Sequence, residues 1–215
     1  MGIYDLTVTI WPGMPTWPGE EDIRLDPVSR ISLGDVANVS RLALGTHTGT
    51  HVDAPWHFHD AGPTVDQLPL EVLVGEGYVA DMGQTAQIGP EELRQAKIPA
   101  GVTRLLLKTT NSRYWAHDKG GFQKDFVAVT PEGAQWIVER GIRLIGIDYL
   151  SVERFGSLDH AVHRTFATQG VIAIEGLNLG EIPAGWYQIL CLPLKIAGAD
   201  GAPARVIAVG PLNRK

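Results

Sequence analysis

Three histidines and one aspartate lie within a stretch of eleven residues: His47, His51, Asp53 and His57, in a chain with seven histidines altogether. This segment constrains the fold more than any other part of the sequence. It cannot be an α-helix, because β-branched residues, a glycine and a proline interrupt it. The segment is therefore predicted to be extended or looped.

The spacing of these four residues predicts that they converge. Positions 47, 51, 53 and 57 have the same parity, so in an extended chain all four side chains leave one face. A straight strand rises about 3.3 Å per residue, so ten residues would span about 33 Å, which is too far for one shared ion. Gly49 and Pro55 stand where the chain can bend, and a bend would gather the four side chains at one point.

Imidazole and carboxylate groups together form the usual ligand set of zinc, manganese or iron. His47, His51 and Asp53 are the candidate ligands, and three protein ligands leave coordination positions open, as in catalytic sites. His57 is either a fourth ligand or a general acid/base. We favour acid/base work, because an ordinary imidazole pKa of about 6.5 suits proton transfer at neutral pH. A histidine-rich surface loop that arose by chance is the alternative.

Further ligands are expected downstream, since one loop seldom completes a metal site. His163 lies in a helical stretch over residues 159–168, and Glu175 ends the apolar run 171–174. A carboxylate at the end of a buried strand is costly unless it is paired or binds a cation. The alternatives are a packed histidine and an exposed strand end. His160, one helical turn before His163, is expected to be a neighbour rather than a ligand.

The rest of the chain predicts a mixed α/β fold. Seven short runs have the length of strands, one of them alternating and six largely apolar. They cover residues 39–44, 77–80, 104–107, 143–147, 171–174, 188–192 and 205–209. One helix begins at Pro90, and another follows the N-cap Thr130 and ends before Gly141. This order of elements indicates one domain over residues 1–215, with two sheets or one large sheet.

Composition excludes several classes of function. The chain has 24 acidic and 18 basic residues, a net charge of −6 and no basic run, so a nucleic-acid partner is not expected. No apolar stretch approaches the roughly 18 residues of a membrane span, and the first ten residues lack a secretory signal pattern, so we expect a cytoplasmic protein. The single cysteine, Cys191, lies in an apolar run and is expected to be inert. No Gly-x-Ser-x-Gly or Gly-x-Gly-x-x-Gly motif supports a serine hydrolase or a dinucleotide site.

Residues 47–57, HTGTHVDAPWH, resemble the signature His-x-Gly-Thr-His-x-Asp-x-Pro-x-His of the metal-dependent cyclase family. That family includes the bacterial kynurenine formamidases and isatin hydrolase. The similarity extends to residues 16–19, 143–148, 192–195 and 200–205. Residues 109–115, TTNSRYW, differ from the segment expected of a dedicated kynurenine formamidase.

The resemblance implies metal ligands at His47, His51 and Asp53. It implies a second group of ligands at His163 and Glu175, with Asp53 able to bridge two ions. The expected cofactor is one or two Zn²⁺ ions, with Mn²⁺ as the alternative.

The resemblance also places acid/base work on His57. It implies a swivelling β/β/α fold with mixed sheets, and a homodimer or higher homo-oligomer in which residues of one subunit reach the site of another.

The expected function is metal-dependent amide hydrolysis, in which N-formyl-L-kynurenine and water give L-kynurenine and formate in tryptophan catabolism. Trp17, Trp56 and Phe155 are the candidates to hold the aromatic ring, with core packing as the alternative for Trp17. A hydrolase of cyclic amides or lactones related to isatin is the second enzyme hypothesis. A non-catalytic metal-binding interaction protein is the third, and a closed shell of protein ligands would favour it.

Overall fold

A mixed β-sheet that closes on itself forms the centre of the molecule. The computed structural model describes residues 2–116 and 121–213. Within them the strands are β1 (Gly2–Asp5), β2 (Arg24–Ser29), β3 (Val39–Ala43), β4 (His51–Asp53), β5 (Val74–Asp81), β6 (Arg104–Lys108), β7 (Leu144–Ile147), β8 (Ile172–Glu175), β9 (Gly185–Pro193) and β10 (Gly201–Gly210).

Seven of these strands close into a barrel. Their order is β10-β4-β8-β7-β6-β5-β9, and β9 pairs back onto β10. Strands β5 to β8 are parallel to their neighbours within that group, and the remaining pairs are antiparallel. Strand β1 adds to β10 outside the ring. This arrangement confirms the predicted mixed α/β fold, with one large sheet rather than two equal ones.

Helices cover the parallel part of the barrel, except for the shortest, whose Val72 and Leu73 pack into the cluster that fills the barrel. They are α1 (Leu70–Leu73), α2 (Pro90–Gln95), α3 (Pro131–Glu139) and α4 (Ala161–Thr168). As predicted, Thr130 caps α3, because its side chain accepts the Gly133 N–H at 3.1 Å. The longest helix of the described residues has 9 residues, so none of them has the length or apolarity to cross a membrane.

Alternation along the strands divides the core into two layers. Leu106 of β6 belongs to the cluster that fills the barrel, whereas its neighbours Leu105 and Leu107 pack in the layer under the helices. Cys191 is buried inside the barrel, and burial raises the pKa of its thiol, as expected of an inert core cysteine.

Strands β2 and β3 form a separate two-stranded sheet, which we call the arm (residues 24–43). The sequence predicts strand β3 from its alternation, and the strand is present. Alternation normally indicates one buried face, but all residues from Val39 to Leu42 are exposed. Strands β1, β2 and β4 were not predicted, and β4 has only three residues.

Candidate metal centre

Strand β4 brings the first ligand candidates to the end of β8. His51 and Glu175 are direct cross-strand partners, and Asp53 lies two residues further on the same face as His51. Gly49, with φ of 66°, bends the chain before β4, and the 3₁₀ turn Pro55–His57 bends it again afterwards. The predicted bends at Gly49 and Pro55 are therefore present.

A very close approach fixes this loop against β8. Gly176 has φ of 70°, and a Cβ atom at that position would lie 1.9 Å from the carbonyl oxygen of Gly49. Thr50 Oγ1 donates to the Gly176 carbonyl at 2.6 Å and accepts the Val8 N–H at 2.9 Å. The loop thus holds its side chains in place through buried backbone contacts.

His51 presents a free nitrogen to two carboxylates. Its Nδ1–H donates to the Gly49 carbonyl at 3.0 Å, so Nε2 is the nitrogen left to hold a proton or a metal ion. Nε2 lies 3.4 Å from Asp53 Oδ1 and 3.4 Å from Glu175 Oε2. It is buried and has no hydrogen-bond partner. A lone pair between two carboxylates needs a cation, either a proton or a metal ion.

His163 of α4 approaches the same carboxylates from the other side. Its Nε2 lies 3.2 Å from Glu175 Oε1 and 3.9 Å from Asp53 Oδ2. Its Nδ1 lies 2.5 Å from Glu153 Oε2, which orients the ring. Asp53 therefore turns Oδ1 towards His51 and Oδ2 towards His163, the arrangement of a carboxylate that can bridge two ions.

His47 is held between two carboxylates. Its Nδ1 lies 2.8 Å from Asp53 Oδ1, and its Nε2 lies 2.9 Å from Asp200 Oδ2. If Asp200 accepts the Nε2–H, then Nδ1 is the nitrogen available for a metal ion.

His57 stacks on His47, with ring centroids 4.1 Å apart, and its Nδ1 lies 3.3 Å from the same Asp200 oxygen. Burial lowers the pKa of His57 and outweighs the opposing effect of the Asp53 carboxylate. A neutral imidazole at the edge of the cluster is well suited to accept a proton.

The buried carboxylates make the centre strongly attractive to positive charge. Burial alone would lower the pKa of His51 and of His163, but the negatively charged carboxylates beside them raise both to about 10. Burial would raise the pKa of Asp53, but the His47 ring beside it holds that pKa well below its usual range. A divalent cation can supply the same charge in place of the protons.

Two of the three aromatic residues predicted to hold substrate lie together. Trp17 packs edge-on against Phe122 and Phe155, at centroid distances of 5.3 Å and 5.4 Å. We call this set, with Phe126, the aromatic cluster; Phe126 contacts Trp17 at 6.5 Å. Phe155 follows the His163 partner Glu153 by two residues in the chain.

Trp56, the third predicted aromatic residue, lies apart from the aromatic cluster. It is 39% exposed and lines an open cleft of about 590 Å³ together with His57, His160 and Asp200. His160 is exposed, and its ring centroid lies 6.4 Å from that of His163. It also offers a ligand atom within 4.8 Å of those of Glu153 and His163, so its expected role as a neighbour rather than a ligand stays a prediction.

Comparison with known families identifies the fold. The family described as "Putative cyclase" matches residues 4–154, well over half of the chain. The chain belongs to the cyclase family.

Relatives of this cyclase-family protein match almost its whole length. Cyclase-like protein 2 of Arabidopsis thaliana is 38% identical over 214 residues, which is 96% of this chain and 79% of the relative. A solved structure described as a potential metal-dependent hydrolase with cyclase activity has a TM-score of 0.82 and 34% identity, and 96% of each chain is covered. Isatin hydrolase A from Labrenzia aggregata has a TM-score of 0.81 at 24% identity, covering 98% of this chain and 94% of that one, and this likeness concerns the fold alone.

The side chains of this cyclase-family protein fit a divalent cation. His51, Asp53 and Glu175 offer ligand atoms within 4.8 Å of one another, and so do His47, Asp53 and His57. The unpartnered Nε2 of His51 is the strongest sign, because a buried polar atom without a partner is costly. All five predicted ligands, His163 included, come together in one place. Whether they bind metal stays a prediction.

Sequence reasoning missed two carboxylates that orient the histidines of this cyclase-family protein. Glu153 holds His163, and Asp200 holds His47 and lies beside His57. Glu153 lies six residues beyond the end of β7 at Ile147, so the argument used for Glu175, a carboxylate that ends an apolar run, does not select it. Asp200 stands directly before β10, within one of the family-like segments, but nothing local ties it to a histidine 153 residues away.

Proposed function

We propose that this protein is a metal-dependent hydrolase of aromatic amides, with N-formyl-L-kynurenine as substrate and L-kynurenine and formate as products. The observation that carries the proposal is the buried cluster of imidazoles and carboxylates around the unpartnered His51 Nε2. The aromatic cluster, in which Phe155 lies two residues after Glu153, is proposed as the apolar surface for an aryl group.

One or two divalent cations would be held by the five predicted ligands, His47, His51, Asp53, His163 and Glu175. Such a cation supplies a Lewis acid that polarises a carbonyl and lets water ionise near neutral pH. Zn²⁺ is proposed as the ion and Mn²⁺ as the alternative, since both accept imidazole and carboxylate ligands.

His57 is proposed to move the proton. With Asp200 beside its Nδ1, the ring has Nε2 free to take a proton from the attacking water. The same nitrogen then returns the proton to the leaving nitrogen of the aniline, which departs as a neutral amine. Burial keeps the pKa of His57 low, so the ring is neutral and ready to act as a base.

The direct test is formate release from N-formylkynurenine by protein loaded with zinc or manganese. We expect turnover in the loaded protein, and loss of at least about 10³-fold in His51→Ala, since several kcal/mol of transition-state stabilisation depend on the cation. His59→Ala is the matched control, because this histidine of the same loop is not among the predicted ligands. Full turnover by His51→Ala would contradict the proposal.

A cyclic aromatic amide such as isatin is the second candidate substrate. It is favoured by the shared fold with isatin hydrolase A and by the same requirement for a polarised carbonyl next to an aromatic ring. Side-by-side assays of isatin and N-formylkynurenine distinguish the two, and the preferred substrate is expected to have at least a tenfold higher kcat/KM.

We also infer a homodimer or higher homo-oligomer in which the arm of one copy packs on another copy. A lone two-stranded hairpin is at best marginally stable, yet this one exposes Leu33 at 83% and Val36 completely. The same chain exposes a second apolar patch at Leu192 and Leu194, which an arm could cover.

Sedimentation velocity over a dilution series tests the oligomer. We expect a dimer or larger species at micromolar concentration, and a shift towards monomer when Leu33 and Val36 are both changed to serine. A wild-type protein that is monomeric at all concentrations would contradict the inference.

A further inference from the structure

Two buried side-chain atoms have no hydrogen-bond partner among the described residues, and both belong to the same region of the molecule. They are His51 Nε2 and Glu20 Oε2. A divalent cation would satisfy His51. No described residue donates a hydrogen bond to Glu20 Oε2, and a buried carboxylate oxygen without a donor is costly.

The position of Glu20 joins the aromatic cluster to the histidine centre. Its backbone N–H donates to the Trp17 carbonyl at 3.1 Å, so it closes the turn that carries this aromatic side chain. A Cβ atom built on Gly45 would lie 3.5 Å from Glu20 Oε2, so the carboxylate lies against the chain two residues before His47. Burial raises the pKa of Glu20, and charge on His47 and His51 opposes that effect, so the carboxylate lies within electrostatic reach of both rings.

Glu20 does not join the ligand sets. Each candidate metal group of the described residues has ligand atoms within 4.8 Å of one another, and Glu20 belongs to none of them. The free oxygen therefore needs a donor other than the cation. Both proposed substrate classes, aryl formamides and cyclic aromatic amides, carry an N–H directly beside the carbonyl that is attacked.

We propose that Glu20 accepts a hydrogen bond from the N–H of the substrate amide and thereby selects N–H amides over esters and N-alkylated amides. The inference rests on the proposed function and names a specificity-determining residue for it. An ester places an oxygen lone pair against the carboxylate, and an N-methyl group places an apolar one there. Either substitution leaves Glu20 without a donor, and sites built to hydrogen-bond a substrate discriminate strongly against analogues that lack the donor.

The kinetic test compares formanilide with phenyl formate in loaded wild-type protein, Glu20→Gln and Glu20→Leu. For formanilide, Glu20→Leu is expected to lower kcat/KM by about 10-fold to 100-fold, the range of a hydrogen bond to a charged group. Glu20→Gln keeps a carbonyl acceptor and should lose less. For phenyl formate both variants should stay within about threefold of wild type. Equal losses on the two substrates would overturn the proposal.

Two controls separate the role of Glu20 from simpler ones. Glu21→Gln removes the neighbouring, exposed carboxylate and should match wild type on both substrates. Metal content should be the same in wild type, Glu20→Gln and Glu20→Leu. Loss of metal from the Glu20 variants would make Glu20 a ligand and would overturn the proposal.

A binding measurement keeps this test independent of turnover. Calorimetry of zinc-loaded protein with oxindole and N-methyloxindole compares a cyclic amide with and without its N–H. Wild type should bind oxindole at least about tenfold more tightly, and Glu20→Leu should lose that preference. If no amide is hydrolysed but the preference is found, the proposed function fails and the Glu20 inference stands. Equal affinities in wild type overturn the inference, whatever the activity.

Discussion

Strands β4 and β3 are both short, and each lies in a segment with a period-two sequence pattern. One is buried and the other is exposed to solvent. All three residues of β4 are buried, whereas β3 is exposed on both faces. Strand β4 pairs with β8 on one side and β10 on the other, whereas among the described residues β3 pairs only with β2. Alternation in a sequence thus tells which residues share a face, but not what that face meets.

The difference has a chemical consequence. Because β4 is a wall strand of the barrel with neighbours on both sides, its polar side chains His51 and Asp53 are buried, lose water and must find partners at fixed positions, which is the condition for a selective cation site. In the arm, the polar groups stay hydrated, but apolar side chains are also exposed to solvent. The following changes test this contrast, from the largest expected effect to the smallest.

Glu175→Gln should produce the largest effect on metal binding. The substitution removes a buried charge that faces both His51 and His163, and breaking a buried ion pair costs about 3–5 kcal/mol. We expect the zinc dissociation constant to rise about 10³-fold, measured by competition with a chelating dye. Glu139→Gln, an exposed position at the end of α3, is the control. Similar zinc affinity in the two variants would break the contrast between buried and exposed carboxylates.

Two glycines, one at the metal-site loop and one in the arm, extend the comparison to the backbone. Gly176 and Gly34 both have positive φ, but a Cβ at Gly176 meets a backbone oxygen, whereas nothing lies within 4 Å of a Cβ at Gly34 in the arm. Gly176→Ala should lower the free energy of unfolding by about 3 kcal/mol or more, and Gly34→Ala by about 1 kcal/mol. Urea denaturation measures both. Equal losses would show that the loop is not clamped to β8 as described.

Glu153→Gln should have an intermediate effect. The residue holds His163 without belonging to the predicted ligands, and changing such an orienting partner commonly costs about 10-fold to 100-fold in metal affinity. Zinc competition in parallel with a melting curve separates this effect from unfolding. An affinity equal to that of wild type would remove the orienting role.

Leu33→Ser in the arm should have the smallest effect on the metal centre. Its side chain is exposed, so zinc affinity is expected to stay within about twofold of wild type at a concentration where the protein is fully assembled. A large loss of zinc affinity would mean that the arm contributes to the metal centre, a contact that the described residues of a single chain do not show.

The histidine segment was predictable because parity, glycine and proline act over a few residues. The parallel strands β6, β7 and β8 were predictable because strands buried on both faces are continuous apolar runs. Strand β4 itself was not predicted, because its three residues lie in a segment that the sequence predicts only to be extended or looped. The carboxylate of Asp200 reaches His47 only because the barrel closes, and barrel closure is a long-range property that local patterns do not contain.

The arm shows a second limit of prediction from sequence, which concerns burial rather than secondary structure. Its residues 39–43 have a sound strand pattern, and the strand forms. The pattern predicts a buried face if another part of the same chain packs on it. No described part of the chain packs on this face, so it stays exposed.

Zinc titration into metal-free protein by calorimetry tests the central claim most directly. Wild type is expected to bind zinc saturably, with a dissociation constant in the micromolar range or tighter, and His51→Ala to bind at least about 100-fold more weakly. Equal zinc affinity of wild type and His51→Ala, or no saturable binding by wild type, would contradict the assignment of this buried cluster as a metal centre.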